Sequence, residues 1–203
     1  NSSPTILNGI NDYQTNEDDF FSITIPLDAF QDMDGDALTY IATMADGNAL
    51  PSWLIFDGNS FTGTPSNDET GLFQITVTAN DGQTSISTNF ALTVNNTNDI
   101  PSLTADSLTL LEDNSVTIDV LANDVDVDGD SLTIDSASAL NGSVTINADG
   151  TLNYTPNTDF NGSDIISYEV NDGNGGTATS TVSVTVNSEN DAPVAIDDSV
   201  STT

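Results

Sequence analysis

The 203-residue chain contains no cysteine, lysine, arginine or histidine. Without cysteine there is no disulfide, no thiolate metal site and no cysteine nucleophile. Without histidine the commonest general base and the preferred transition-metal ligand are missing. Without lysine or arginine there is no clamp for phosphate and no electrostatic footprint for nucleic acid. An internal isopeptide bond, which needs a lysine, is excluded as well. Long apolar runs are also lacking. The 36% of hydrophobic residues fall in short Val, Ile, Leu and Phe runs, so no membrane-inserting segment is expected. Asn1-Ser2-Ser3-Pro4 has neither the basic nor the apolar region of a signal peptide, which fits a segment cut from a longer chain.

What the chain has instead is acid: 32 Asp and Glu residues and a formal net charge of -32. The stretch "DVDVDGDSL" (Asp124 to Leu132) sets four aspartates at every second position around one glycine. Two unit charges about 5 Å apart repel by roughly 3 kcal/mol at an effective dielectric of about 20. Such a loop needs a positive partner that no side chain here supplies. The available donors are carboxylates, amide and backbone carbonyls and hydroxyls, the ligands of hard cations such as Ca²⁺.

Landmarks recur in one order. "NDIP" (Asn98 to Pro101) returns 92 residues later as "NDAP" (Asn190 to Pro193), and "DMDGD" (Asp32 to Asp36) returns 94 residues later as "DVDGD" (Asp126 to Asp130). "NDG" at Asn80 returns 91 residues later at Asn171, and "NED" (Asn16 to Asp18) answers to "LED" (Leu111 to Asp113). Two tandem domains are predicted, 1–98 and 99–191, with 192–203 as the start of a third repeat or a C-terminal tail.

Between the landmarks the pattern has period two, as in "LFQITVTA" (Leu72 to Ala79), "FALTV" (Phe90 to Val94), "ISYEV" (Ile166 to Val170) and "VSVTV" (Val182 to Val186). No stretch has helical periodicity. The prediction is all-β: two tandem Greek-key sandwiches of the immunoglobulin sort, about seven strands each. In that fold strand A ends at Glu17 (Glu112 in the second repeat). Strand B runs to about Pro26 (Leu121), and the Asp-rich loop leads into strand C. The acids therefore collect at the two poles of each domain. End-to-end stacking would gather Glu17, Asp18, Asp68 and Glu69 with Asn98, Asp99, Asp126, Asp128, Asp130 and Asp172. Asp32, Asp34, Asp36 and Asp81 mark the other pole of domain 1, and Glu112, Asp113, Asn190 and Asp191 that of domain 2. Several Ca²⁺ ions, at six to eight oxygens each, would absorb these clusters, mainly at the junction and the poles.

A Glu ending strand A, Asp-x-Asp after strand B, Asp after strand F and an Asn-Asp-x-Pro linker together resemble the calcium layout of cadherin repeats. The first repeat is similar to the dystroglycan-type cadherin-like modules of bacterial surface proteins through "LPSWLIFDGNSFTGTP" (Leu50 to Pro65). The second, with "VLANDVDVDGDSLTI", "GTLNYTPNTDFNGSDIISYEVNDGNGG" and "NDAPVA", resembles the cadherin-like repeats of giant secreted adhesins of the RTX type. The cadherin Asp-Arg-Glu motif has no Arg counterpart at Asp68 and Glu69. The resemblance implies a calcium-rigidified extender of a secreted, cell-surface adhesin. Its partners would be neighbouring repeats of the same chain, with no nucleic acid and no membrane insertion, and the chain is expected to be a monomer.

Other readings compete with this one. "DVDVDGDSLTID" fits an EF-hand loop from Asp124 to Asp135, but its flanks read as strands and Phe30 would hold the first position in the first repeat. A solvating surface accounts for scattered acids such as Asp46 and Asp57. It does not account for clusters repeated at the same poles. Trp53 could stack on a sugar, or sit in the core of a short strand with Leu54 and Phe56. The alternative function is accordingly a carbohydrate- or partner-binding module that recognises surface glycans. A glycosidase would need two carboxylates of unlike environment in a cleft, whereas these acids lie in open, duplicated loops, so no catalysis is expected.

Overall fold

The structure, a computed structural model, describes residues 1–191 and Pro193. Apart from Pro193, the segment read as a third repeat lies outside the described residues. The chain divides into two compact units, Asn1–Thr97 and Asn98–Thr203.

Unit 1 contains β1 (Thr5–Ile6), β2 (Tyr13–Asn16), β3 (Phe21–Thr24), β4 (Phe30–Gln31), β5 (Thr39–Met44), β6 (Ile55–Phe56), β7 (Ser60–Gly63), β8 (Gly71–Asn80) and β9 (Ser85–Asn95). One sheet runs β2-β9-β8-β5, the facing sheet runs β3-β7-β6, and β1 pairs with β4. Unit 2 contains β10 (Asp106–Leu111), β11 (Val116–Ile118), β12 (Thr133–Ala139), β13 (Gly142–Ile146), β14 (Leu152–Pro156), β15 (Gly162–Asn171) and β16 (Thr177–Asn187). Its sheets run β10-β16-β15-β12 and β11-β14-β13. In both units the first strand of the larger sheet lies parallel to the last strand, β2 on β9 and β10 on β16, and the other pairings are antiparallel.

The alternating runs supply the cores. Ile75, Val77 and Ala79 of β8 are buried in one cluster with Phe90 and Leu92 of β9, and Ile166, Tyr168 and Val170 of β15 in another with Val182, Val184 and Val186 of β16. Each fully buried aliphatic side chain contributes about 1.5–3 kcal/mol. Unit 1 adds an aromatic chain from Tyr13 through Phe90 and Phe61 to Phe56, with ring centroids 4.5 to 5.9 Å apart.

Unit 1 has nine strands rather than seven, because the β1–β4 ribbon adds two short ones. Strand B is shorter than expected in both repeats. β3 stops at Thr24 ahead of a turn closed from Ala29 N–H to Pro26 O, and β11 stops at Ile118 ahead of one closed from Asp124 N–H to Leu121 O. Trp53 lies in a turn before β6, not in a strand, and packs edge-on to Phe73 at 5.7 Å. Gly63 makes that turn possible: a Cβ there would lie 1.9 Å from the Trp53 carbonyl oxygen.

Candidate cation sites at the domain poles

The Asp-rich loops share one side-chain turn in the two units. Asp126 Oδ1 accepts the backbone N–H groups of Asp128 (3.0 Å) and Asp130 (3.3 Å), and Asp32 Oδ1 accepts those of Asp34 (2.9 Å) and Asp36 (3.2 Å). This side-chain-to-backbone turn curls three carboxylates onto one point. Ligand atoms of Asp126, Asp128 and Asp130 lie within 4.8 Å of one another, as do those of Asp32, Asp34 and Asp36. In each trio the first aspartate keeps its Oδ2 buried without a hydrogen bond.

The turn after strand F joins the same pole. In unit 2 the buried Asp172 accepts Asn174, Gly175 and Gly176 N–H on Oδ1 at 2.7, 2.9 and 3.0 Å and the Asn98 amide on Oδ2 at 2.8 Å. These donors, the Asn98 amide foremost, hold its carboxyl below the usual range. Asp99 N–H donates to Asp128 Oδ2 at 2.7 Å, and Asn174 Nδ2 to Asp130 Oδ2 at 2.7 Å. Gly176 approaches so closely that a Cβ would lie 2.1 Å from Asp172 Oδ2.

Unit 1 repeats the plan with its first residues. Asn1 Nδ2 donates to Asp81 Oδ2 at 2.9 Å and Ser2 N–H to Asp34 Oδ2 at 2.5 Å, the contacts that Asn98 and Asp99 make in unit 2. Asn1 and Ser2 thus take the places that Asn98 and Asp99 hold in the second repeat. Backbone N–H groups of Thr84 and Gln83 press the Asp81 carboxyl well below the usual range.

The strand-A glutamates occupy the opposite poles, one residue past β2 and β10. Glu17 is 1% exposed and Glu112 3%. Glu17 Oε1 accepts Thr97 N–H at 2.6 Å and its Oε2 is buried without a partner. Glu112 Oε1 accepts Glu189 N–H at 2.8 Å and its Oε2 the Asn161 amide at 3.2 Å. Asp18 and Asp113 follow with φ of 58° and 61°, a left-handed kink that aspartate tolerates. Asp113, Asp159 and Asp191 place ligand atoms within 4.8 Å of one another. Loss of hydration, then the charges of Asp159, Asp113 and Glu112, push the Asp191 carboxyl up. Asn190 Nδ2 bonds to Asp191 O at 3.3 Å, as Asn98 does to Asp99 O at 3.2 Å.

Asp68 and Glu69 sit on a 3₁₀ turn, Asn67–Glu69. Glu69 closes a capping box, its Oε2 accepting Ser66 N–H (2.9 Å) and Oγ–H (2.7 Å). The EF-hand reading of Asp124 to Asp135 fails on its flanks: the loop leads into β12 with a register irregularity between Ile134 and Ser136. Asp164, buried too, is satisfied by Tyr154 Oη–H (2.8 Å) and Asn141 N–H (3.0 Å) and is a structural acid. Asp159 and Asp106 were not singled out as ligands from sequence, and Asp124 only as the first position of the EF-hand reading. The 91-residue offset that carries Asn80 onto Asn171 also carries Asp68 onto Asp159, a correspondence that could have found it.

Residues 3–95 match the family described as "Putative Ig domain", and residues 98–185 match the bacterial Ig domain. A solved structure of human protocadherin-24 EC1-2 superposes with a TM-score of 0.56 at 15% identity, over 93% of this chain and 100% of that one. The chain has the fold of two tandem Ig-like, cadherin-like β-sandwiches. Drosophila N-cadherin EC1-4 gives a TM-score of 0.52 at 14% identity, over 92% of this chain and 50% of that one. An endo-fucoidan hydrolase of glycoside hydrolase family 107 aligns with 92% of the tandem pair at 20% identity and a TM-score of 0.43, but the pair spans only 29% of that enzyme. No curated protein matches the sequence.

Proposed function

We propose that the tandem pair is a calcium-stiffened extender segment of a large secreted bacterial adhesin of the RTX type, non-enzymatic, holding a distal binding domain away from the cell surface. The observation that carries this reading is an orphaned carboxylate oxygen in three of the acidic clusters. Glu17 Oε2, Asp32 Oδ2 and Asp126 Oδ2 are buried with no hydrogen bond, in a chain with no Lys, Arg or His. A buried, unpaired carboxylate oxygen costs several kcal/mol unless a cation joins it. The donor set is all oxygen and fits Ca²⁺, which would supply six- to eight-fold coordination at 2.3–2.6 Å. Asp126, Asp128, Asp130, Asp99, Asp172 and Asn98 are the candidate ligands of unit 2, and Asp32, Asp34, Asp36 and Asp81 those of unit 1.

Stiffening follows from the chain path. Thr97, held by Glu17, is the last residue of unit 1, and Asn98, held by Asp172, is the first of unit 2, so cations bound at these acids would fix the chain on both sides of the junction. Equilibrium dialysis against ⁴⁵Ca²⁺ tests the reading. Several ions bound per chain, reduced by Asp126→Asn, support it, and no binding at millimolar Ca²⁺ overturns it.

A second reading rests on a cleft of about 480 Å³ in unit 1, lined by Tyr40, Leu50, Phe56 and Asp57. Two aromatic rings beside a carboxylate suit a sugar ring. Hits on a glycan array that Phe56→Ala removes would favour that binding module.

A further inference from the structure

The first strand of unit 2 breaks its own alternation. Along β10 the half-buried positions are Asp106, Leu108 and Leu110, and the parallel register sets Asp106 beside Val182, a core residue. A carboxylate therefore stands where an aliphatic side chain belongs. Its Oδ1 accepts the Asn123 amide at 3.1 Å, and its Oδ2 is buried with no hydrogen bond. Asp124 is in the same half-filled state, with Oδ1 accepting Thr104 N–H at 2.7 Å and Oδ2 buried and unpartnered. The hydroxyl of Tyr168, a side chain 2% exposed, points into the same place, against Asp106, Asp124 and Ser180, with no contact that meets full hydrogen-bond geometry.

Unit 1 fills the same place with hydrocarbon. The 94-residue offset of the Asp-rich loops aligns Asp124 with Phe30, and the 91-residue offset of the strand-F turns aligns Tyr168 with Val77. Phe30 is 5% exposed and Val77 fully buried. Unit 2 has thus exchanged two apolar core residues for an acid and a phenol, opposite a second acid. Burial, with the charges of Asp124 and Asp119, pushes the Asp106 carboxyl up, so the site is short of positive charge.

We propose that Asp106 Oδ2, Asp124 Oδ2 and Tyr168 Oη form an internal site for a hard cation of the calcium type, within unit 2 and separate from the acids assigned to its poles. Each carboxylate has one oxygen fixed by a protein donor, which leaves the other to the ion, the arrangement by which outer partners orient ligands. Asn123 and Thr104 are those orienting partners. The ion would tie the start of β10 to the loop that leads into Asp126.

Anomalous diffraction from crystals of the whole chain grown with Ca²⁺ or Tb³⁺ tests the site. The expected result is a peak within 2.3–2.6 Å of both carboxylate oxygens. Asp106→Asn, which keeps the Asn123 contact, should lose that peak and one bound ion per chain while peaks at the poles remain. Tyr168→Phe, a gentler change, should weaken the peak and reduce Tyr-sensitised Tb³⁺ luminescence. A water or no density among the three oxygens overturns the proposal. So does an Asp106→Asn variant that is more stable with its ion count unchanged, because the two acids then share a proton instead.

Discussion

Asp126→Asn separates the two roles of one side chain. Oδ1 organises the loop by accepting Asp128 and Asp130 N–H, a task an amide oxygen performs as well. Oδ2, buried without a hydrogen bond, is the oxygen the proposal gives to a cation. With ligand atoms within 4.8 Å of those of Asp128 and Asp130, each charge pair repels by about 3 kcal/mol at a dielectric of about 20, and by roughly half that once partial exposure is allowed for. Neutralising Asp126 in EGTA should therefore leave unit 2 as stable as wild type or more stable by roughly 1–3 kcal/mol. In calcium the order reverses. A site with a dissociation constant near 10⁻⁴ M in about 10 mM Ca²⁺ contributes about 2.7 kcal/mol, which raises the midpoint of a domain this size by about 10–20 °C. Differential scanning calorimetry in EGTA and in Ca²⁺ gives both numbers. The wild type should show the full rise, and Asp126→Asn should lose most of it without melting early in EGTA. An equal calcium-induced rise in the two proteins would refute the reasoning.

Glu17→Gln should cost less than about 1 kcal/mol in EGTA, because the amide oxygen still accepts Thr97 N–H, whereas Glu17→Ala leaves that donor unmatched and should cost about 1–3 kcal/mol by urea titration. Gly63→Ala should destabilise unit 1 by about 3 kcal/mol or more, since its Cβ meets the Trp53 carbonyl at 1.9 Å, and loss of Trp fluorescence at lower denaturant reads this out. Asp57, held below the usual range by Ser60 and Asn59 N–H, and Asp149, held there by the Thr151 hydroxyl and N–H, have folded pKa values below their unfolded ones. Their contribution is complete above about pH 4 and lost as pH falls through the depressed values. In EGTA, Asp57→Asn with Asp149→Asn should flatten the fall of the melting temperature between pH 4 and 2.5, and an unchanged slope would exclude these turns as its source.

The sandwich was legible because the long strands β8, β9, β15 and β16 carry strict alternation, and a one-residue slip would expose every buried side chain. The poles were legible because duplicated loops hold their acids at fixed offsets. Two-residue strands such as β1 and β4 are too short to show a period, so the extra ribbon was invisible. Trp53 was misplaced because an apolar run such as "WLIF" reads alike in a strand and in a turn packed on its own Gly63. The Asp106–Asp124–Tyr168 group joins residues 18 and 44 positions apart, and only the parallel register of β10 on β16 puts Asp106 on the core face.

Small-angle X-ray scattering of the whole chain, in EGTA and in saturating Ca²⁺, tests calcium stiffening most directly. The expected result is a narrower set of conformations and a sharper maximum dimension in Ca²⁺, with the double variant Asp126→Ala, Asp128→Ala remaining as flexible as the wild type in EGTA. Identical flexibility of the wild type with and without Ca²⁺ would contradict the extender mechanism, whatever ions the poles hold.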